Sequence, residues 1–140
     1  MIRAAVLLTL SVLPALAEDA PKSEAGTAFI NRCLADVIDH RVATLKKQVP
    51  EYAATLTNKQ LFAGASHKAE KVCPCFLHVV GTSDDIPGET PEHRVTYVVD
   101  YLDSLDDGSA QSPPMPQVIT RLTRLCGQRS SILPPSWIGQ

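Results

Sequence analysis

Between residues 23 and 49 the apolar positions are Phe29, Ile30, Cys33, Leu34, Val37, Ile38, Val42, Leu45 and Val49. Steps of three and four place them on one stripe, the pattern of a helix with a buried face. Arg32, Asp36, Asp39, Lys46 and Lys47 lie mostly off that stripe, and Pro50 is expected to end the helix. A second pattern opens at Thr57-Asn58-Lys59-Gln60, a hydroxyl followed three residues on by an amide side chain, as in a capping box. Leu61, Phe62, Ala65, Ala69, Val72, Cys73, Phe76, Val79 and Val80 then keep the helical period as far as Gly81. Pro74 sits inside this stripe and has no N–H to donate. The stripe stays in phase across it, which predicts a kinked helix and not two separate ones.

Polar and turn-forming residues from Gly81 to Gly88 predict a loop. Thr90-Pro91 supplies a capping hydroxyl and a proline suited to the first helical position. Val95, Val98, Val99, Leu102 and Leu105 form a third stripe, closed by Gly108. The run from Val95 to Val99 is rich in strand formers, but the caps and the 3.6-residue period favour a helix. Ser112-Pro113-Pro114-Met115-Pro116 breaks the chain, and Val118, Ile119, Leu122, Leu125 and Cys126 make a fourth stripe that stops at Gly127. Residues 128–140 have no helical period and hold Pro134-Pro135, so an extended tail is expected. The pattern as a whole predicts an all-α protein: a four-helix array over 18–127, with the tail at 128–140.

The chain has 140 residues, enough for one small domain. Its first segment, 1–17, reads differently from the rest. Arg3, a short apolar run, Pro14 and the triplet Ala15-Leu16-Ala17 match a secretory signal with an A-x-A cleavage site. The apolar stretch is shorter than the roughly 20 residues a membrane span needs. The mature protein is therefore expected to be periplasmic or secreted, with no membrane association after cleavage.

Export changes the meaning of the four cysteines, because an oxidising compartment makes disulfides the default. A Cys73–Cys75 bond would close a strained ring around Pro74. Cys33 is thus expected to bond one member of that pair and Cys126 the other. Cys33 lies 16 residues before the end of the first stripe and Cys73 lies 16 after the start of the second. In an antiparallel hairpin both then stand roughly 24 Å from the turn. Up-and-down helices bring Cys126 to the same pole. Cys33–Cys73 with Cys75–Cys126 is the favoured pairing, and the swapped one remains open.

Two sharper uses of Cys73-Pro74-Cys75 compete with stapling: a metal site that includes His78, or a thiol-redox site. Zinc sites usually pair two half-sites, whereas His40, His67 and His93 are scattered. Thiol oxidoreductases usually carry C-x-x-C at a helix start. No nucleophile elbow, phosphate loop or His-Glu-x-x-His motif occurs either. The expectation is a protein without a cofactor, a metal or catalytic residues.

Lys and Arg total 13 against 15 Asp and Glu, and the sequence pI near 6.0 disfavours nucleic acid as a partner. The charge is unevenly spread. Between residues 84 and 107 eight acidic residues face Arg94 alone, while 32–71 and 108–140 are net basic. Asp100, Asp103 and Asp107 share one face of the third helix, where carboxylates oppose the helix dipole. Arg121 or Arg124 is the expected counter-charge, and a calcium loop is disfavoured because the acids do not alternate. Tyr97 and Tyr101 flank that face and are candidate interface anchors. Trp137 is the only tryptophan; it either docks the tail or inserts into a partner. Tyr97, Asp100, Tyr101, Asp103, Asp107 and Trp137 form the candidate surface for a protein partner, one of cationic character.

From Thr90 to Cys126 the order Val98-Val99-Asp100-Tyr101-Leu102, proline-rich break, short apolar helix and terminal cysteine is similar to the small periplasmic immunity proteins that protect bacteria from type VI secretion amidases. That resemblance implies a helical, disulfide-bonded protein that plugs an enzyme's cleft and has no activity itself. The functional expectation is an exported, non-enzymatic protein-binding module, with an inhibitor or immunity role as its concrete form. A thiol-redox or metal-binding protein and an acid-stress chaperone are the alternatives.

Overall fold

In a computed structural model, residues 23–109, 116–126 and Trp137 are described. They form five helices: α1 (Glu24–Gln48), α2 (Pro50–Thr55), α3 (Asn58–Thr82), α4 (Pro91–Asp106) and α5 (Pro116–Leu125). The fold is all-helical, as the periodicity predicts, and no strand occurs among the described residues. The extended form expected for 128–140 falls, apart from Trp137, outside the described residues.

The caps set the boundaries. Ser23 Oγ accepts from the Gly26 amide at the start of α1. At α3 the Thr57 hydroxyl accepts from the Gln60 amide while the Gln60 side chain accepts from the Thr57 amide, a complete capping box. Thr90 Oγ1 accepts from the His93 amide, and Pro91 opens α4. Gly88 has φ 143°, and a Cβ there would stand 2.7 Å from the Arg94 amide nitrogen, so the turn into α4 requires glycine.

Two local expectations are corrected. Pro50 does end α1, but it also begins α2, since its fixed φ and missing N–H suit a first helical position as well as a stop. The expected four helices are therefore five. The second pattern, by contrast, is one helix through Pro74 and not two, as the in-phase stripe predicts. Leu125, placed on the buried stripe of the fourth pattern, is 59% exposed, while Val118 and Leu122 of α5 are buried.

α1 and α3 form the central hairpin, α4 lies across both, and α5 rests on α3. Phe29, Cys33 and Val37 of α1 meet Ala69, Val72, Cys73, Phe76 and Val80 of α3 in one continuous core, closed by Val95, Val98 and Leu102 of α4. Cys33 bonds Cys73, and Cys75 bonds Cys126. Two residues apart on a helix is about 200° of rotation. Cys73 thus faces α1 and is fully buried, while Cys75 points towards α5 and is half-buried.

The core occupies only one end of the hairpin. α4, α5 and Trp137 are tied to α1 through Arg32 and Asp36, and to α3 and the loop after it through Cys75, Gly81 and Ser83. Val42, Ala53, Leu61 and Ala65 are buried as well, but they lie outside that core. The remainder of the hairpin, with α2 at its turn, is a two-helix arm projecting from a disulfide-braced head.

Candidate protein-interaction surface

The core-facing side of α4 is Val95, Val98 and Leu102; Glu92, His93, Thr96, Tyr97, Asp100 and Asp103 are exposed. These positions recur at helical spacing, so they form one outward ridge on a helix whose other side is locked in the core. Tyr97 is 40% exposed. Tyr101 is half-buried and packs against the core. Burial first, and then the proximity of Tyr97, push its phenol above the ordinary range. Of the two tyrosines expected as anchors, Tyr97 is the one presented outward, and Tyr101 is its support.

The counter-charge to the acidic face comes from an unexpected helix. Arg32 of α1 donates from Nη1 to Asp103 (3.1 Å) and Asp106 (2.7 Å), from Nη2 to Asp106 and the Leu102 carbonyl, and from Nε to Asp36 (2.9 Å). Burial pulls its pKa down, but its hydrogen bonds to Asp106 and Asp36 and their charges outweigh it and raise the net value. A planar guanidinium with five donors suits such a fork. Arg121 pairs instead with Asp85 and donates to the buried Ser83 hydroxyl, which seats α5 on the loop after α3. Arg124 forms no ion pair among the described residues, so the expected Arg121 or Arg124 pairing with the α4 acids is replaced by Arg32.

These pairings divide the acidic run. Asp84 is held by Arg94, Asp85 by Arg121, and Asp103 and Asp106 by Arg32. Asp107 accepts from the Ser109 side chain and backbone, which lowers its pKa. Glu92 and Asp100 make no ion pair among the described residues, and Asp100 lies one turn beyond Tyr97 on the same ridge. Asp103 remains 65% exposed despite its pairing.

Trp137 is not part of this surface. It is 5% exposed, its ring stands edge-on to Phe29 at 5.8 Å between centroids and tilted to Phe76, and its indole N–H donates to Asp36. Its place in the set of partner-binding residues is therefore corrected: the ring is seated in the core, where apolar rings and a carboxylate acceptor meet it.

Among the described residues no cysteine is free, and no three His, Cys, Asp or Glu side chains cluster as metal ligands. Both sulfurs of Cys73-Pro74-Cys75 are already bonded, so thiolate chemistry there requires reduction first. Two disulfides place the chain in an oxidising, extracytoplasmic setting. No described helix is long and apolar enough to cross a membrane.

Comparison with known proteins gives no matching family model, no similar curated protein and no similar solved structure.

Proposed function

We propose that this is an exported, non-enzymatic binding module that docks a cationic protein surface through the outer ridge of α4, with Tyr97 and Asp100 at its centre. One observation carries the reading: Arg32 pins the acidic end of α4 to α1, and the side left outward carries an exposed aromatic ring beside a carboxylate without an ion pair. A tyrosine on a rigid helix loses little conformational freedom on burial, which is why such residues dominate interfaces. The neighbouring carboxylates add steering and selection for a basic partner.

The sequence resemblance to immunity proteins gives the reading its concrete form, a protein that blocks the cleft of an enzyme. Support for that form rests on the helical, doubly disulfide-bonded head, which holds the ridge rigid in an oxidising compartment.

The test is capture from an extracytoplasmic extract in oxidising, low-salt buffer, repeated at high salt. A defined basic protein retained at low salt and weakened by high salt supports the reading. Repeated capture of nothing, or binding indifferent to salt, contradicts it.

A further inference from the structure

The arm carries a groove of about 310 Å³ between α1 and α3, floored by Val42, Leu45, Leu61 and Ala65 and edged by Arg41 and Tyr52. Tyr52, on α2, is 56% exposed. Gly64 lies in this wall, well inside α3, where glycine weakens a helix relative to alanine. None of the described residues explains it. A Cβ on Gly64 would meet no atom within 4 Å, and its φ is not in the left-handed region. Gly64 thus leaves this part of the groove wall open to a side chain from outside.

The charge around the groove indicates what approaches. Arg41 is the charged residue of its lining and makes no ion pair among the described residues, and the sequence of the arm, 39–71, is net basic, with Arg41, Lys46, Lys47, Lys59, Lys68 and Lys71 against Asp39, Glu51 and Glu70. The complementary element is an amphipathic helix with an aromatic knob and acids at helical spacing. The outer ridge of α4 has that composition: Tyr97, then Asp100 one turn on, with Glu92 and Asp103 beside them.

We infer that the arm groove receives the α4 ridge of a second copy of this chain, Tyr97 entering beside Gly64 and Asp100 meeting Arg41. Each copy carries both a groove and a ridge, and the inference is the reciprocal, two-fold form, in which both grooves are filled and the pair closes, where a one-way contact would propagate. This deepens the reading above and rests on it, since it uses the same α4 ridge and names a cationic counterpart within the protein itself.

The experiment is sedimentation equilibrium of the oxidised full chain at high micromolar concentration, at low and high salt. The expected result is a dimer that dissociates as salt rises. Gly64→Trp fills the groove from a position with open space; the variant stays folded, by thermal melt and far-UV circular dichroism, and is monomeric. Gly64→Ala melts several degrees higher than the parent. Arg41→Asp and Asp100→Arg each shift dissociation at least tenfold. Mixed together, they form a heterodimer tighter than either homodimer, because one of its two contacts keeps the parent Arg41–Asp100 pair and the other restores it with the charges exchanged.

A monomer at every salt concentration overturns the inference. So does a dimer indifferent to Gly64→Trp, or a mixture of Arg41→Asp and Asp100→Arg no tighter than its components. Failure here separates cleanly from failure of the function. If self-association is absent while Asp100→Arg still abolishes capture of a foreign basic protein, only the second-copy inference falls. If Asp100→Arg changes neither, both fall.

Discussion

The indole N–H of Trp137 donates to Asp36 Oδ2 at 2.8 Å, and the same oxygen accepts from Arg32 Nε at 2.9 Å. One carboxylate thus joins the end of the chain to α1 and, through Arg32, to α4. The two partners are 101 residues apart. This shared oxygen links Trp137 to the Arg32 fork and leads directly to the first expectations.

Arg32→Ala removes the fork that holds the acidic end of α4. It leaves Asp36 with Trp137 alone and exposes two facing carboxylates, Asp103 and Asp106, to mutual repulsion. The expected cost is about 1–3 kcal/mol in urea unfolding of the oxidised protein, mostly from the half-buried Asp36 contact, since the exposed pairs contribute little. Arg32→Lys recovers only part of it, because an ammonium cannot donate to three carboxylates in one plane. An unchanged midpoint in Arg32→Ala contradicts the role given to this residue.

Trp137→Ala vacates a site against Phe29 and Phe76 and is expected to cost about 3–5 kcal/mol. As the only tryptophan, it reports on itself. Native emission is expected to be blue-shifted and protected from acrylamide, and to move red in Arg32→Ala and in denaturant. Emission typical of exposed indole in the native protein runs against the docking described.

Thiol titration of protein purified without reductant is expected to find none free in the described pairing. Peptide mapping should recover Cys33 with Cys73 and Cys75 with Cys126. Replacing either pair by serine lowers stability by about 2–4 kcal/mol, the usual value for a loop-closing bond. Loss of Cys75–Cys126 loosens α5 selectively, read by hydrogen exchange across 116–126, while loss of Cys33–Cys73 loosens the whole head.

Asp107 has its pKa lowered by hydrogen bonds from the Ser109 hydroxyl and amide. Its folded-state value lies below its unfolded one, so its contribution is present above the ordinary carboxylate range. That contribution is lost as pH falls through the lowered value. The group is fully exposed, so the effect is confined to the end of α4. An NMR titration of the Ser109 amide is expected to show a midpoint below that of an unperturbed aspartate, and a midpoint at or above it contradicts the contact.

The helices and the disulfide register were legible because both follow from the 3.6-residue period. The spacing that levels Cys33 with Cys73 across a hairpin needs only a rise per residue. The favoured pairing is the one formed, but the swapped one stayed open because the choice depends on which sides of α3 the two cysteines face once α1 and α5 are in place. Pro50 reads equally well as a stop and as a start, and α2 was lost to the first reading. The clamp on α4 was missed for a different reason: Arg32 lies off the buried stripe of α1, and nothing in the local pattern says that α4 crosses there. The signal was present in the Arg32–Asp36 spacing, which aims a guanidinium along the helix flank. Trp137 was ambiguous because a segment without periodicity carries no information about which surface it meets. The arm groove was invisible to the pattern, since a period along one helix does not say where two helices leave space between them.

The central claim is that a braced head presents the Tyr97–Asp100 ridge to a basic protein. It is tested most directly by quantitative capture with the parent protein and with Tyr97→Ala/Asp100→Lys, both confirmed oxidised and equally stable. The account predicts a defined basic partner enriched by the parent and reduced at least tenfold by the double variant. Equal recovery of the same partner by both proteins contradicts it.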